Sequence, residues 1–267
     1  MYMSADNPTV AGVPPSVRRS REYGRAGLFG LLTPQGNPVA EPELRILLPA
    51  AGAMLAARLT SPGPTLRERL IDYREHLGEF VDQFDDVAFD AVGFACTGSS
   101  YGIDADEERR RLDAIAARKG YPIVTAADAV EAALFELGAA AIALVSPYPG
   151  WLTDACRGHW QRRGLRVTAT LQLAPESTWG HGIYALTTAA VLDAVARLDT
   201  RGADAVLLAG TGMPSLRAIL ALEPLRGVPV LSSNLCLGWA LARVIGDTEP
   251  GPESRLYGGW TARLAAA

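Results

Sequence analysis

Short, unbroken apolar runs set the rhythm of this chain. GLFGLLTP (27–34), DAVGFACTG (90–98), AAIALVSP (140–147) and DAVLLAGTG (204–212) show little polar alternation. Runs of this kind read as strands buried on both faces of a parallel sheet. LRVTATLQLA (165–174) is a further strand. Between the runs lie stretches with helical spacing: TLRERLIDYREHLGEFVDQF (65–84), DEERRRLDAIAARKG (106–120), WLTDACRGHWQRRG (151–164), LTTAAVLDAVARLDTRG (186–202) and SLRAILALEPLRG (215–227). Several close on a glycine, a common helix stop. Strands alternating with helices predict βαβ units.

The pattern occurs twice. DAVGFACTG and DAVLLAGTG agree at six positions, 114 residues apart. KGYPIVTAADAV (119–130) is echoed by RGVPVLSSNLCL (226–237), and both place Gly-x-Pro ahead of an apolar pair and a Ser or Thr. The first strands of the two series both end in Ser/Thr-Pro. Self-similarity at a long period indicates a tandem duplication. The expected architecture is α/β, with two pseudo-symmetric subdomains, each a short parallel sheet flanked by helices, and an active site in the cleft between them. Residues 1–24 read as a flexible arm. Residues 25–125 form the first subdomain, 126–234 the second, and 235–267 pack back on the first.

Composition adds exclusions. The 267 residues carry a net charge of −4, which gives no reason to expect nucleic-acid binding. Three cysteines without framework spacing argue against a disulfide scaffold and fit a reducing cytosol. No apolar run is long enough for a bilayer, and the first 25 residues do not read as a signal peptide. Three scattered histidines and three scattered cysteines form no metal-ligand spacing, and GTGMPS is too short for a dinucleotide fingerprint. Neither a metal nor another cofactor is expected.

Ligands of open α/β sheets bind beyond the carboxyl ends of the strands. The strand ends here carry Asn37, Cys96 to Ser100, Tyr148, Gly210 to Met213, and Ser232 to Asn234. Together, TPQGNPVAEPE, FACTGSS, LVSPY, DAVLLAGTGMPSL and GVPVLSSN resemble, in that order, the aspartate/glutamate racemase superfamily, in the branch of maleate cis–trans isomerases and arylmalonate decarboxylases. The likeness spans roughly residues 27–245. It implies a catalytic cysteine at Cys96, a substrate-binding tyrosine at Tyr148, and isomerase-type positions at Asn37, Glu41 and Met213 to Leu216. It also implies a homodimer, an assembly common in the superfamily. Racemases and isomerases of the superfamily typically carry a thiol on both walls, and the decarboxylases keep only the second. This chain keeps the first, Cys96, and has Gly210 at the second, so two-base racemisation is not expected.

The residues assign roles within that frame. Cys96 precedes Thr-Gly-Ser-Ser, whose small residues let backbone N–H groups approach and lower the thiol pKa, which suits a nucleophile or proton donor. Asn37, Thr97, Gly98, Ser99, Tyr148, Gly210, Thr211 and Gly212 form a carboxylate cradle, since a carboxylate needs several donors. Glu41 and Glu43 read as helix-opening acids suited to the helix dipole. Cys156 reads as core. Cys236, at a helix start that would lower its pKa, lies close to the cleft but off the second cysteine's position. His76 and His159 read as surface or boundary residues, and His181, in a Gly-flanked loop, is a candidate for the missing second acid. The favoured function is a cofactor-independent thiol enzyme acting on a small dicarboxylic acid by maleate-type cis–trans isomerisation through Cys96. The alternatives are decarboxylation of substituted malonates, with Cys96 as proton donor, and a carboxylate-binding protein that has lost catalysis.

Overall fold

The computed structural model describes residues 20–173, 182–248 and 250–267. The first series of strands is β1 (Gly27–Pro34), β2 (Gly52–Leu59), β3 (Ala91–Phe94) and β4 (Ile123–Thr125). The second is β5 (Ala141–Ser146), β6 (Arg166–Gln172), β7 (Ala205–Leu208) and β8 (Val230–Ser232). They form two four-stranded parallel sheets, ordered β2-β1-β3-β4 and β6-β5-β7-β8. Adding four to each number of the first order gives the second. The molecule is therefore two pseudo-symmetric α/β subdomains.

The repeated residues have repeated structural jobs. Asp90 accepts from the backbone N–H of Leu28 at 2.8 Å and donates its own N–H to Leu28 O. Asp204 does the same for Ala141, at 2.8 Å and 2.7 Å. Each aspartate pins a central strand to its neighbour. Gly120 and Gly227, at φ 78° and 68°, stop the preceding helices in the left-handed region that favours glycine. The prolines that follow, Pro122 and Pro229, accept the N–H groups of Val92 and Val206 at 2.9 Å. At the end of each repeat, Thr125 and Ser232 cap α6 (Ala126–Glu136) and α10 (Ser233–Val244).

The other helices are α1 (Ala40–Leu47), α2 (Leu66–Glu75), α3 (Leu77–Asp82), α4 (Thr97–Ser100), α5 (Ala105–Lys119), α7 (Gly150–Arg162), α8 (Thr188–Arg197), α9 (Leu216–Arg226) and α11 (Thr261–Ala265). The single helix expected over 65–84 is thus two, α2 and α3, meeting at His76. Strand β2 was not expected. It is an edge strand, half-exposed and alanine-rich, and lacks the apolar density of the buried strands. Helix α10 packs on α6, α1, β3 and β4. The C-terminal segment caps the end of α1: Tyr257 Oη donates to Leu47 O at 3.0 Å, and Arg263 donates to the Ile46 and Leu47 carbonyls. Within the expected arm, residues 1–19 lie outside the described residues; Arg21 ion-pairs with Asp90 at 3.0 Å. No helix among the described residues is long and apolar enough to cross a membrane.

Candidate active site

A cavity of about 530 Å³ opens where the carboxyl ends of the two sheets meet. Cys96, Thr97 and Gly98 line it from the end of β3, and Thr211 and Gly212 from the end of β7. Asn37 follows β1, and Tyr148 follows β5. The duplicated strands therefore deliver their chemistry to one place.

The thiol sits in the turn between β3 and the four-residue α4 and is 5% exposed. Its Sγ lies 3.2 Å from Ser99 Oγ. Burial pushes the Cys96 pKa above the ordinary thiol value. The Ser99 hydroxyl and the N–H groups of Ser99 and Gly98 pull it down, and the Glu108 carboxyl opposes them. This corrects the sequence expectation: the donors are present, but burial outweighs them. Ser99 does not line the cavity; it backs the sulfur.

Asn37 joins the two halves. Its Oδ1 accepts from Val39 N at 2.9 Å and Ala40 N at 3.1 Å, which shapes the entry to α1. Its Nδ2 donates to Thr211 Oγ1 at 3.2 Å, and Thr211 donates onward to Ala95 O at 2.7 Å. The Tyr148 hydroxyl lies 2.7 Å from Thr97 Oγ1. Burial raises its pKa far above the ordinary phenol value, so it stays a neutral hydroxyl. These four residues tie the walls together before any ligand arrives.

Gly210 is a different matter. It is not among the residues lining the cavity. Its φ is +87°, and a Cβ there would meet Tyr148 Oη at 2.9 Å and Pro147 Cγ at 3.0 Å. The seat expected to face Cys96 across the substrate is covered by the Tyr148 side chain. Gly210→Cys is therefore expected to lose roughly 1–3 kcal/mol of stability from backbone strain and crowding. Denaturant unfolding checks this. A variant as stable as the parent that also gains proton exchange at a substrate carbon would show that the position tolerates a working second thiol.

Other expected residues fall elsewhere. Cys156 is in the core, where burial pushes its thiol to about 12. Cys236 is also fully buried and does not line the cavity, and burial raises its pKa where a helix start was expected to lower it. His76 is exposed at the α2–α3 junction. His159, expected at the surface or its boundary, is 4% exposed, with its ring 4.7 Å from Trp160 and 5.1 Å from Tyr101. Burial and the nearby Arg163 and Arg162 lower its pKa to about 3, so it stays neutral. His181 lies outside the described residues. Among the described residues, no group of three or more His, Cys, Asp or Glu could hold a metal ion.

Two contributors were not anticipated. Helix α2 presents Leu66, Arg69, Leu70 and Tyr73 to the cavity. The spacing i, i+3, i+4, i+7 was present in the sequence as one helix face. The second is Glu43, whose carboxylate leaves α1 and crosses to the other subdomain. Its Oε1 accepts from the N–H groups of Ser215, at 2.5 Å, and Leu216, at 3.0 Å. Its Oε2 accepts from Ser215 Oγ at 2.7 Å and Asn234 Nδ2 at 2.8 Å. Asn234 Nδ2 also donates to Thr211 O at 3.1 Å, so the hub supports a cavity wall. Glu41 stays near the surface, paired with Arg45 and Arg58. The signal for Glu43 was its place among Ala40, Leu44 and Leu47 on the buried face of α1.

Known proteins share the fold and part of the sequence. The model of the arylmalonate decarboxylase family matches residues 75–257, more than half of the chain. A maleate isomerase of Pseudomonas putida strain KT2440 is 26% identical over 236 residues, 83% of this chain and 92% of the relative. The crystal structure of the maleate isomerase Iso from Pseudomonas putida S16 superposes with a TM-score of 0.78 at 23% identity, over 87% of this chain and 98% of that one. A Cys-to-Ser mutant of the Nocardia farcinica maleate cis-trans isomerase, solved with a covalently bound succinylcysteine intermediate, gives 0.73 at 23% identity, over 85% and 96%. The chain belongs to the arylmalonate decarboxylase family, in the branch of the aspartate/glutamate racemase superfamily that also holds the maleate isomerases.

Proposed function

We propose that the chain is a Cys96-dependent enzyme acting on a small dicarboxylic acid, and that its reaction is cis–trans isomerisation of the maleate type. The observation that carries this reading is the single thiol at the mouth of β3, set against backbone N–H groups and opening on a cavity shared by both subdomains. The succinylcysteine intermediate of the Nocardia relative supports a covalent route. Cys96 first loses its proton to solvent, and the Ser99 hydroxyl 3.2 Å away can donate a hydrogen bond to the thiolate. The thiolate adds to one alkene carbon, and the π pair moves toward the neighbouring carboxylate. The carbon–carbon bond, now single, rotates. The pair returns, the C–S bond breaks, and the thiolate is regenerated. The Thr97 hydroxyl and the N–H groups of Gly98 and Gly212 supply donors for the substrate carboxylate and its developing charge, while Thr211, its own proton held by Ala95 O, forms the wall beside them. One thiol suffices for this cycle.

A second reading, decarboxylation of a substituted malonate, is favoured by one observation. The cavity carries an apolar wall of Leu66, Leu70, Leu152, Leu173 and Ile183, with room for more than a bare four-carbon diacid. There Cys96 would stay a thiol and protonate the enediolate left after loss of CO2.

The pH dependence separates the two, because burial holds the Cys96 thiol above its ordinary value of 9. A thiolate nucleophile is scarce below that raised value, so kcat/KM for isomerisation should climb with pH through 8 and 9. A thiol acting as acid is present below that value and is depleted as pH rises through it, so decarboxylation should hold at lower pH and decline above it. Proton NMR of maleate going to fumarate and CO2 release from phenylmalonate, each across pH 6–10, are the measurements. Turnover of neither substrate class by the parent would leave the carboxylate-binding reading.

A further inference from the structure

We infer that Arg69 is a specificity-determining residue, the guanidinium that holds the carboxylate of the substrate farther from Cys96. The inference rests on the dicarboxylate reading above. Among the described residues that line the cavity, Arg69 is the one basic side chain, and none is Asp or Glu. Apart from the Cys96 thiol, the cavity is otherwise built from apolar side chains, amides, hydroxyls and backbone. A dianion entering such a space loses hydration and needs a charged partner to offset the loss.

The placement of Arg69 follows from α2. Leu70 packs against Gly98: a Cβ on that glycine would meet Leu70 Cδ2 at 3.1 Å. This contact seats α2 on the thiol loop, and Arg69 is the adjacent residue. Arg69 Nε donates to Gly63 O at 2.7 Å, which fixes the guanidinium against the loop before the helix. Tyr73 and Tyr184 line the same cavity as Arg69 and Cys96, and burial, with a smaller opposing contribution from the Arg69 guanidinium, keeps both hydroxyls neutral. The two tyrosines thus neighbour both the thiol and Arg69. A diacid with one carboxylate in the Thr97–Gly98 and Thr211–Gly212 cradle can run past these rings to Arg69. A guanidinium offers two parallel N–H donors to a carboxylate, which sets orientation as well as charge. The class of substrate is then a diacid whose second carboxylate stays ionised, and a monoester should be a poor ligand.

The test uses the full chain with Cys96→Ala, so that ligand binds without turnover. Titration calorimetry is run with maleate, phenylmalonate and the monomethyl ester of each, in this parent and with Arg69→Gln or Arg69→Lys added. Arg69 is only partly buried, so both variants should fold, as circular dichroism will verify. Arg69→Gln should weaken the diacids by about 10- to 100-fold. The esters, already weak, should change by less than about 3-fold, and Arg69→Lys should recover part of the diacid affinity. Diacid affinity unchanged in folded Arg69→Gln overturns the inference and leaves the dicarboxylate reading standing. An equal loss for diacids and esters also overturns it, since that marks a general distortion of the pocket. A parent that binds no diacid removes the dicarboxylate reading, and the inference with it.

Discussion

Cys96→Ser should lose turnover by roughly 10²- to 10⁴-fold, whichever dicarboxylate reaction is assayed. The serine hydroxyl fits the space of the thiol and can keep the Ser99 contact. The fold should therefore survive, with an unfolding midpoint close to the parent's. What is lost is acidity and nucleophilicity, since a hydroxyl ionises and attacks carbon far less readily than a thiol. Mass-spectrometric mapping after iodoacetamide supplies the companion measurement in the wild-type chain. Cys96 should label first, because it alone of the three cysteines lines the cavity, and a bound dicarboxylate should protect it. Cys156 and Cys236 are buried in the core with strongly raised pKa values and should label only as the chain opens. Full activity in Cys96→Ser, or equal labelling of all three thiols, would remove Cys96 from the chemistry.

Glu43→Ala should produce the largest loss of stability, about 3–5 kcal/mol by denaturant unfolding. The substitution strands four donors, the N–H groups of Ser215 and Leu216, Ser215 Oγ and Asn234 Nδ2, in a site that is 8% exposed. Burial raises the Glu43 pKa, and these donors pull it back toward the carboxylate. The directions of the hydrogen bonds fit an ionised group. Ser215 and Leu216 N–H and Asn234 Nδ2 can only donate, so both carboxyl oxygens accept, while the single Ser215 hydroxyl proton is shared between Glu43 Oε2 and Ser232 Oγ, each 2.7 Å away. Glu43→Gln replaces one acceptor by a donor, so one donor of the four must face another. It should recover only part of the loss. Because Asn234 also holds Thr211 O, both variants should weaken substrate binding along with stability. A loss under about 1 kcal/mol for Glu43→Ala would mean that water replaces the hub at little cost.

The contrast between Asp90 and Glu43 shows what was legible. Asp90 belongs to a repeated nonapeptide, and its partner Leu28 belongs to the strand beside it. Two copies of one pattern, each satisfying its own backbone, are visible as a pattern in the chain. Thr125 and Ser232 are the same case, a cap placed between an apolar pair and a helix. Glu43 has its donors more than 170 residues away, on the other subdomain. In the chain it resembles any acid in a first helical turn, and only its company of buried neighbours hinted otherwise. In the chain Arg69 is simply one residue of a helix, because the wall it completes is assembled from several distant segments.

The sequence by itself determined the duplication, every strand but the edge strand β2, the parallel sheets and the place of Cys96 at a strand end. These rest on periodicity, glycine conformation and local hydrogen bonds, which act over a few residues and repeat where the residues repeat. The tertiary structure decided what surrounds the thiol. Burial outweighs the N–H donors at Cys96, a balance that depends on how closely distant segments pack around it. Tyr148 covers Gly210, so the second half of the repeat supplies wall and donors in place of a second thiol. Both outcomes arise from contacts between segments far apart in the chain, and no local pattern encodes the distance at which they meet.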